Sequence, residues 1–217
     1  MRTLALVRYL VADVARGQRF LPPVLLLLAV LAMLYAGDAG EAPQAYIGSS
    51  ALLYPVSVWL AIVVAGSEDP VRHAVTVTAS GGWARARVGV ALAALVWACG
   101  AAVLGTLVPV LTQSRPYPAA VVLTGLAANL VCAVAGVGVG LLCARPVVVR
   151  AGWTAVAALA LTVAAYPLGP VPPVGAVLGA LGGRVAPVPA LGWSAVIASG
   201  LVVAATLAAR VIGSRRG

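Results

Sequence analysis

The sequence contains no lysine and few other charged groups, with fourteen arginines, five acidic residues and one histidine among 217 residues. Without lysine the chain cannot contain a Walker A motif, whose lysine contacts nucleotide phosphates. The single histidine, His73, excludes an HExxH site and any multi-histidine metal centre. There is also no GxSxG motif of the kind that carries a serine nucleophile. We therefore expect a protein that is not an enzyme and that binds no metal or cofactor of its own.

Charged residues are also a small fraction of the chain. Charged residues make up 9% of the chain and hydrophobic residues 63%, whereas soluble domains carry about 25% charged residues. This composition indicates a polytopic membrane protein. The net charge of +9 does not indicate a nucleic-acid partner, because the arginines lie at the borders of apolar runs and form no continuous patch. The three cysteines have no CxxC spacing, so they predict neither a disulfide framework nor a zinc site.

Six apolar runs are close to the length that a bilayer crossing requires. They cover about residues 20–36, 47–66, 88–111, 119–143, 152–168 and 191–212. The predicted fold class is an all-α membrane protein in which 1–217 form a single transmembrane domain of six helices. Alanine, valine, glycine and arginine dominate the composition, which is typical of high-GC bacterial coding and predicts a location in the bacterial plasma membrane.

The arginines are distributed unevenly between the two sets of alternating segments that these spans define. Twelve belong to one set: Arg2, Arg8, Arg16, Arg19, Arg72, Arg85, Arg87, Arg145, Arg150, Arg210, Arg215 and Arg216. The other set holds only Arg115 and Arg184. Basic residues near the ends of spans favour the cytoplasmic side, each by roughly 1 kcal/mol beside an anionic leaflet. We therefore predict cytoplasmic N- and C-termini, with Asp38, Arg115 and Arg184 external.

Residues 2–19 precede the first span and have an amphipathic pattern. One face of the predicted helix carries Leu4, Val7, Leu10, Val11 and Val14, and arginines occupy the other. This pattern predicts a helix that lies in the cytoplasmic interface of the membrane. The alternative is a solvated leader.

The segment 67–87 is the longest connection between spans on the cytoplasmic side. Asp69 is a suitable N-cap, Pro70 suits the first helical position, and Gly81-Gly82 is a suitable stop. An apolar stripe between these signals consists of Val71, Ala74, Val75 and Thr78. We predict a short helix that docks on a partner protein. The alternative is a helix that lies on the lipid surface.

The segment 167–190 is rich in proline on the opposite side. Its apolar stretch 174–181 is too short to cross a bilayer. Non-helical backbone at membrane depth persists only when it is buried in protein or faces water. The pattern therefore predicts a re-entrant element that packs against the bundle, with an ordinary outer loop as the alternative.

Asn129 is the most polar residue inside a predicted span, and no acidic residue lies in any of them. The lack of intramembrane carboxylates argues against an ion-coupled carrier. Asn129 is a candidate for a substrate path. Its alternative role is an interhelical hydrogen bond, worth about 0.6 kcal/mol on average. Gly136 and Gly140 form a GxxxG pair, a pattern that allows close helix packing.

Taken together, these features resemble the transmembrane subunit of an ABC-2-type ABC transporter. The resemblance covers the interfacial helix, six spans with both ends inside, the helix between spans two and three, and the re-entrant element between spans five and six. The run from Gly66 to His73 resembles the beginning of that family's coupling helix. The outer loops are too short to form the extracellular domain that some relatives have.

The resemblance implies a permease subunit that exports a hydrophobic or amphipathic molecule, such as a drug, lipid or peptide. A separate ABC ATPase subunit would bind ATP and Mg²⁺, and a second permease copy or a paralogue would complete a dimer. The residues expected to contact the ATPase are Glu68, Asp69, Val71, Arg72, Val75 and Thr78. The alternative function is that of an ATPase-independent membrane carrier or a membrane assembly factor, and co-purification of an ATPase would distinguish the two.

Overall fold

The computed structural model describes residues 2–37, 40–41, 43–68, 70–113, 116–145, 147–148, 150–167 and 169–216. Every regular element in these ranges is a helix. The helices are α1 (Arg2–Arg16), α2 (Leu21–Leu34), α3 (Tyr46–Ala65), α4 (Pro70–Ser80), α5 (Trp83–Thr112), α6 (Ala119–Cys143), α7 (Ala151–Ala164), α8 (Val174–Leu181) and α9 (Pro187–Arg216). The predicted all-α class is confirmed.

Four of these helices, α3, α5, α6 and α9, are long and apolar enough to cross a membrane. The number becomes five when α1 and α2, which meet at a bend of 71°, are taken as one broken span. The apolar helices α2 and α7 have 14 residues each. At 1.5 Å per residue each rises about 21 Å, less than the roughly 30 Å hydrocarbon core. The helices are therefore compatible with a multi-pass membrane protein, but their lengths do not establish the predicted six crossings.

Helix α6 lies at the centre of the bundle and packs against α3, α5 and α9. Small residues make this close packing possible. A Cβ atom at Gly140 would lie 2.5 Å from the carbonyl oxygen of Val58 in α3, and one at Gly136 would collide with the carbonyl group of Tyr54. Between them, Gly138 faces Leu201 of α9. The GxxxG pair thus lies in the contact between α6 and α3.

Helix α1 packs its apolar face against α5. The buried side chains of this face are Leu6, Val7, Leu10 and Val14. Leu6 lies directly over Gly89, where a Cβ atom would approach it to 2.5 Å. Leu4, which the sequence predicts on the apolar face toward the membrane interface, does not pack on the bundle and is 67% exposed. The packed face is shifted around the helix because the bare surface at Gly89 accepts Leu6.

Helix α8 is short but largely buried. Val174, Val177 and Leu181 have almost no exposed surface, and α8 contacts α3, α6 and α9. Segment 174–181 is therefore packed on the bundle rather than extended away from it. Its depth in a membrane, which the re-entrant interpretation requires, stays a prediction.

The connecting segments meet at two opposite ends of the bundle. At one end, a guanidinium nitrogen of Arg19 donates to the carbonyl oxygens of Gly66 and Ser67 at 3.2 and 3.1 Å. A guanidinium nitrogen of Arg87 donates to the carbonyl oxygen of Arg145 at 3.2 Å at this same end, which we call the arginine-rich end. At the opposite end, the side-chain amide of Gln113 donates to the carbonyl oxygen of Tyr35 at 3.3 Å.

Candidate functional site

A cleft of about 820 Å³ opens between α3 and α7 near the arginine-rich end. Its walls are mostly apolar because the two helices face each other with aliphatic and aromatic side chains. The wall residues are Pro55, Val58, Trp59 and Ile62 from α3, and Ala155, Ala158, Leu159 and Thr162 from α7. A volume of this size is within the range of clefts that bind small molecules, roughly 300–1,000 Å³.

The mouth of the cleft is polar and mainly basic. Arg19, Arg72 and Arg145 border it, together with the carboxylate of Glu68. These residues come from three segments that are distant in sequence, the α1–α2 turn, the start of α4 and the end of α6. Oε1 of Glu68 accepts a 2.6 Å hydrogen bond from the hydroxyl of Thr76, which holds this carboxylate beside α4. The cleft therefore combines apolar walls with a cationic opening.

Two tyrosines join α3 to α7 beyond the inner end of the cleft. The hydroxyl of Tyr166 donates to the carbonyl oxygen of Ala51 at 2.8 Å, and that of Tyr54 donates to the carbonyl oxygen of Leu161 at 3.4 Å. The two rings also meet edge to face, with their centroids 6.2 Å apart. These contacts hold the helices together away from the arginine-rich end, so the cleft widens only toward the basic mouth.

A second, shallower groove of about 550 Å³ lies between α1 and α4. Leu6 and Tyr9 line it from α1, and Val75 and Ala79 line it from α4. The guanidinium of Arg72 lies 3.8 Å from the carboxylate of Asp13, which ties α4 to α1 across the groove. Arg72 borders both this groove and the cleft, so α4 connects the two.

The predicted coupling residues are only partly exposed for docking. Val75 is 63% exposed, and Thr78 is also exposed. Arg72 is exposed as well, although its guanidinium lies 3.8 Å from the carboxylate of Asp13. Glu68 is half-buried and accepts a hydrogen bond from Thr76. Asp69 lies outside the described residues, as does the side chain of Val71.

Asn129 lies at the junction of three helices rather than on either cavity. Its side chain is fully buried. The amide nitrogen donates to the hydroxyl of Thr106 in α5 at 2.9 Å, and the amide oxygen accepts from the hydroxyl of Ser50 in α3 at 2.7 Å. These contacts are the interhelical hydrogen bonds that the alternative role of Asn129 requires. Its contribution to a substrate path stays a prediction.

Sequence patterns did not indicate the cleft. Arg19 and Arg145 were interpreted only as topology signals, and Trp59 only as part of a span. The sequence does place these arginines directly beside the ends of spans. Whether their side chains face the cleft depends on how the helices pack. Among the described residues, no group of three or more His, Cys, Asp or Glu side chains could hold a metal ion.

Comparison with known proteins gives no similarity from which to assign a function. No family model, curated protein or solved structure matches this chain. The interpretation of its function therefore rests on the residues and the geometry described above.

Proposed function

We propose that this chain is the permease subunit of an ABC-2-type transporter, which exports a hydrophobic or amphipathic molecule across the bacterial plasma membrane. In this proposal a separate ABC ATPase subunit binds ATP and Mg²⁺, and a second permease copy or a paralogue completes the translocating dimer. This chain supplies the transmembrane path and the contact surface for the ATPase.

The observation that carries the proposal is the position of α4. This helix connects α3 to α5 at the arginine-rich end, presents Val75 outward, and contributes Arg72 to the edge of the cleft. A partner that displaces α4 would therefore also move one border of the cleft. Such a connection between an outer docking surface and an inner cavity is what ATP-driven transport by a separate subunit requires.

The proposal includes six crossings with both termini in the cytoplasm. If α2 and α7 cross, twelve arginines lie on one side of the membrane and two on the other. If neither crosses, α3, α5, α6 and α9 divide the arginines eight to six. The first distribution follows the positive-inside rule far better. Local thinning of the bilayer, which costs fractions of a kcal/mol per Å, would accommodate the shorter helices.

The test replaces the apolar stripe of α4 with carboxylates. We expect Val71→Asp with Val75→Asp to reduce co-purification of the ATPase and to uncouple ATP hydrolysis from transport more severely than Glu68→Ala, because desolvated apolar anchors usually dominate binding energy. A loss of 2 kcal/mol or more of binding free energy at such an anchor, on the order of 30-fold in affinity for the ATPase, would account for this effect. Co-purification and an ATPase assay in reconstituted membranes provide the measurements.

Leu4→Asp is the matched control, because Leu4 is an exposed aliphatic residue on the adjacent helix but does not line the groove. It introduces one carboxylate, so it is compared with Val75→Asp alone as well as with the double variant, and it is expected to leave ATPase binding unchanged. If the double variant binds the ATPase and transports normally, α4 is not the coupling element. Purification without any ATPase, combined with transport in the absence of ATP, would support the alternative of an ATPase-independent carrier.

A further inference from the structure

The cleft between α3 and α7 is complementary to an anionic amphiphile, because it has a basic mouth and apolar walls. Its mouth carries three guanidinium groups, those of Arg19, Arg72 and Arg145. Among the described residues that line it, Glu68 is the only acidic one. Asp13, outside the lining, lies 3.8 Å from Arg72, so the two carboxylates leave the opening with a net charge of one positive. The apolar walls begin directly inside it.

Three guanidinium groups at one mouth suit a phosphate monoester better than a carboxylate, because the monoester carries a charge of about −2 and three acceptor oxygens. A guanidinium group presents N–H donors in a planar fork that matches the oxygens of phosphate. Arg19 is held in place by its hydrogen bonds to the carbonyl oxygens of Gly66 and Ser67, and Arg145 follows directly on the end of α6. The guanidinium of Arg19 is thus held at the end of α3, and the backbone of Arg145 is held at the same end of the bundle by the hydrogen bond from Arg87 to its carbonyl oxygen.

The walls favour an apolar chain attached to that head group. Trp59 is 41% exposed and lies on the α3 wall opposite Ala155 and Leu159 of α7. The Tyr54–Tyr166 contact joins the two walls beyond the inner end. A chain that enters from the basic mouth therefore has apolar surface on both sides and a limited depth.

We propose that this cleft binds an amphiphile with a phosphate monoester head group, which places its phosphate among Arg19, Arg72 and Arg145 and its apolar chain between α3 and α7. The inference deepens the proposed function, on which it rests, by naming the chemical class of the transported molecule. A bilayer lipid that ends in a phosphate monoester, such as phosphatidic acid, and a free alkyl phosphate share this chemistry. Phosphatidylcholine does not, because it is a phosphodiester whose choline ammonium group would face the guanidinium groups.

The test measures binding without ATP or an ATPase, so its outcome is independent of coupling. The full chain is reconstituted in phosphatidylcholine nanodiscs and titrated with phosphatidic acid that has brominated acyl chains, which quench nearby tryptophans. The difference between the wild type and Trp59→Phe isolates the signal of Trp59. We expect half-maximal quenching of Trp59 at a mole fraction on the order of tenfold lower than with brominated phosphatidylcholine.

Two pairs of matched variants connect this signal to the cleft. Arg145→Gln is expected to weaken phosphatidic acid binding about fivefold, whereas Arg150→Gln, an exposed arginine outside the cleft lining, changes it less than about twofold. Ala155→Phe fills the cleft without adding a tryptophan and is expected to abolish the selective quenching of Trp59. Ala160→Phe, on an exposed position of the same helix outside the lining, serves as its control.

Dodecyl phosphate is then added as a competitor. If it restores the fluorescence of Trp59, the site accepts a free single-chain amphiphile. If it does not, a diacyl lipid is the ligand. Both results support the phosphate-amphiphile proposal. Equal quenching of Trp59 by phosphatidylcholine and phosphatidic acid would overturn it. Equal effects of Arg145→Gln and Arg150→Gln, or of Ala155→Phe and Ala160→Phe, would also overturn it.

Discussion

At the residue scale, the central helix contact depends on two positions where no side chain fits. Gly136 and Gly140 bring α6 against the backbone of α3 so closely that a Cβ atom meets carbonyl groups rather than side chains that could move aside. Close approach of this kind is how transmembrane helices gain van der Waals contact when the lipid is as apolar as they are. The glycine spacing was readable from the sequence, whereas the helix that it faces was not.

We therefore expect Gly140→Val to destabilise the bundle by about 1–3 kcal/mol, the usual effect of overpacking. Thermal unfolding in detergent, followed by tryptophan fluorescence and by size-exclusion chromatography, measures the change. Gly100→Val is the matched control, because a Cβ atom at Gly100 in α5 has open space around it. Equal thermal stability of the two variants would contradict the close α3–α6 contact.

Asn129 provides the second prediction at this scale. Its amide connects α6 to Ser50 of α3 and Thr106 of α5, and such intramembrane hydrogen bonds contribute about 0.6 kcal/mol on average and up to about 1.7 kcal/mol. We expect Asn129→Leu to lower the free energy of unfolding by about 1 kcal/mol, measured by thermal unfolding. Thr124→Val, at a half-buried site of the same helix, removes only a hydroxyl that donates within α6 to the carbonyl oxygen of Ala120, so it is expected to have little effect. Unchanged stability combined with lost transport would instead support the substrate-path role.

At the element scale, the sequence predicted the elements better than their contacts. The apolar run at 119–143 coincides with α6, and Pro70 and the Gly81-Gly82 pair lie at the two ends of α4. Periodicity and capping residues are local signals, so they define where helices begin and end. They do not define which face meets which neighbour, so the amphipathic pattern of α1 was predictable but the contact of Leu6 with Gly89 was not.

Helix α8 has a testable element-scale property. Its residues are apolar and buried against α3, α6 and α9, so opening it would expose apolar surface as well as backbone. We expect hydrogen exchange at the amides of Val177 and Leu178 to be slower than at Val185, which lies in the non-helical connection to α9. Exchange at Leu178 as fast as at Val185 would show that α8 is not stably docked on the bundle.

At the scale of the whole molecule, the cleft and the topology depend on the same three segments. Arg19, Arg72 and Arg145 were separate topology signals in the sequence, and the fold brings them together because the segments that contain them lie at one end of the bundle. The arginine pattern alone predicted a common side of the membrane. Their convergence on one cleft depends on the packing of α3, α6 and α7, which no local pattern encodes.

The six-crossing topology is the last prediction, and it depends on the two 14-residue helices. If α2 crosses, Arg16 and Gly37 lie on opposite sides of the membrane, and if α7 crosses, Arg150 and Arg184 do. Single cysteines at these four positions, in a background in which Cys99, Cys132 and Cys143 are replaced by alanine, are treated with a membrane-impermeant maleimide on intact cells. We expect labelling at 37 and 184 and none at 16 and 150, because the second pair belongs to the arginine-rich segments. If position 184 alone is not labelled, α7 lies on the cytoplasmic side and the C-terminus lies outside. That result would contradict the six-helix arrangement on which the permease proposal depends.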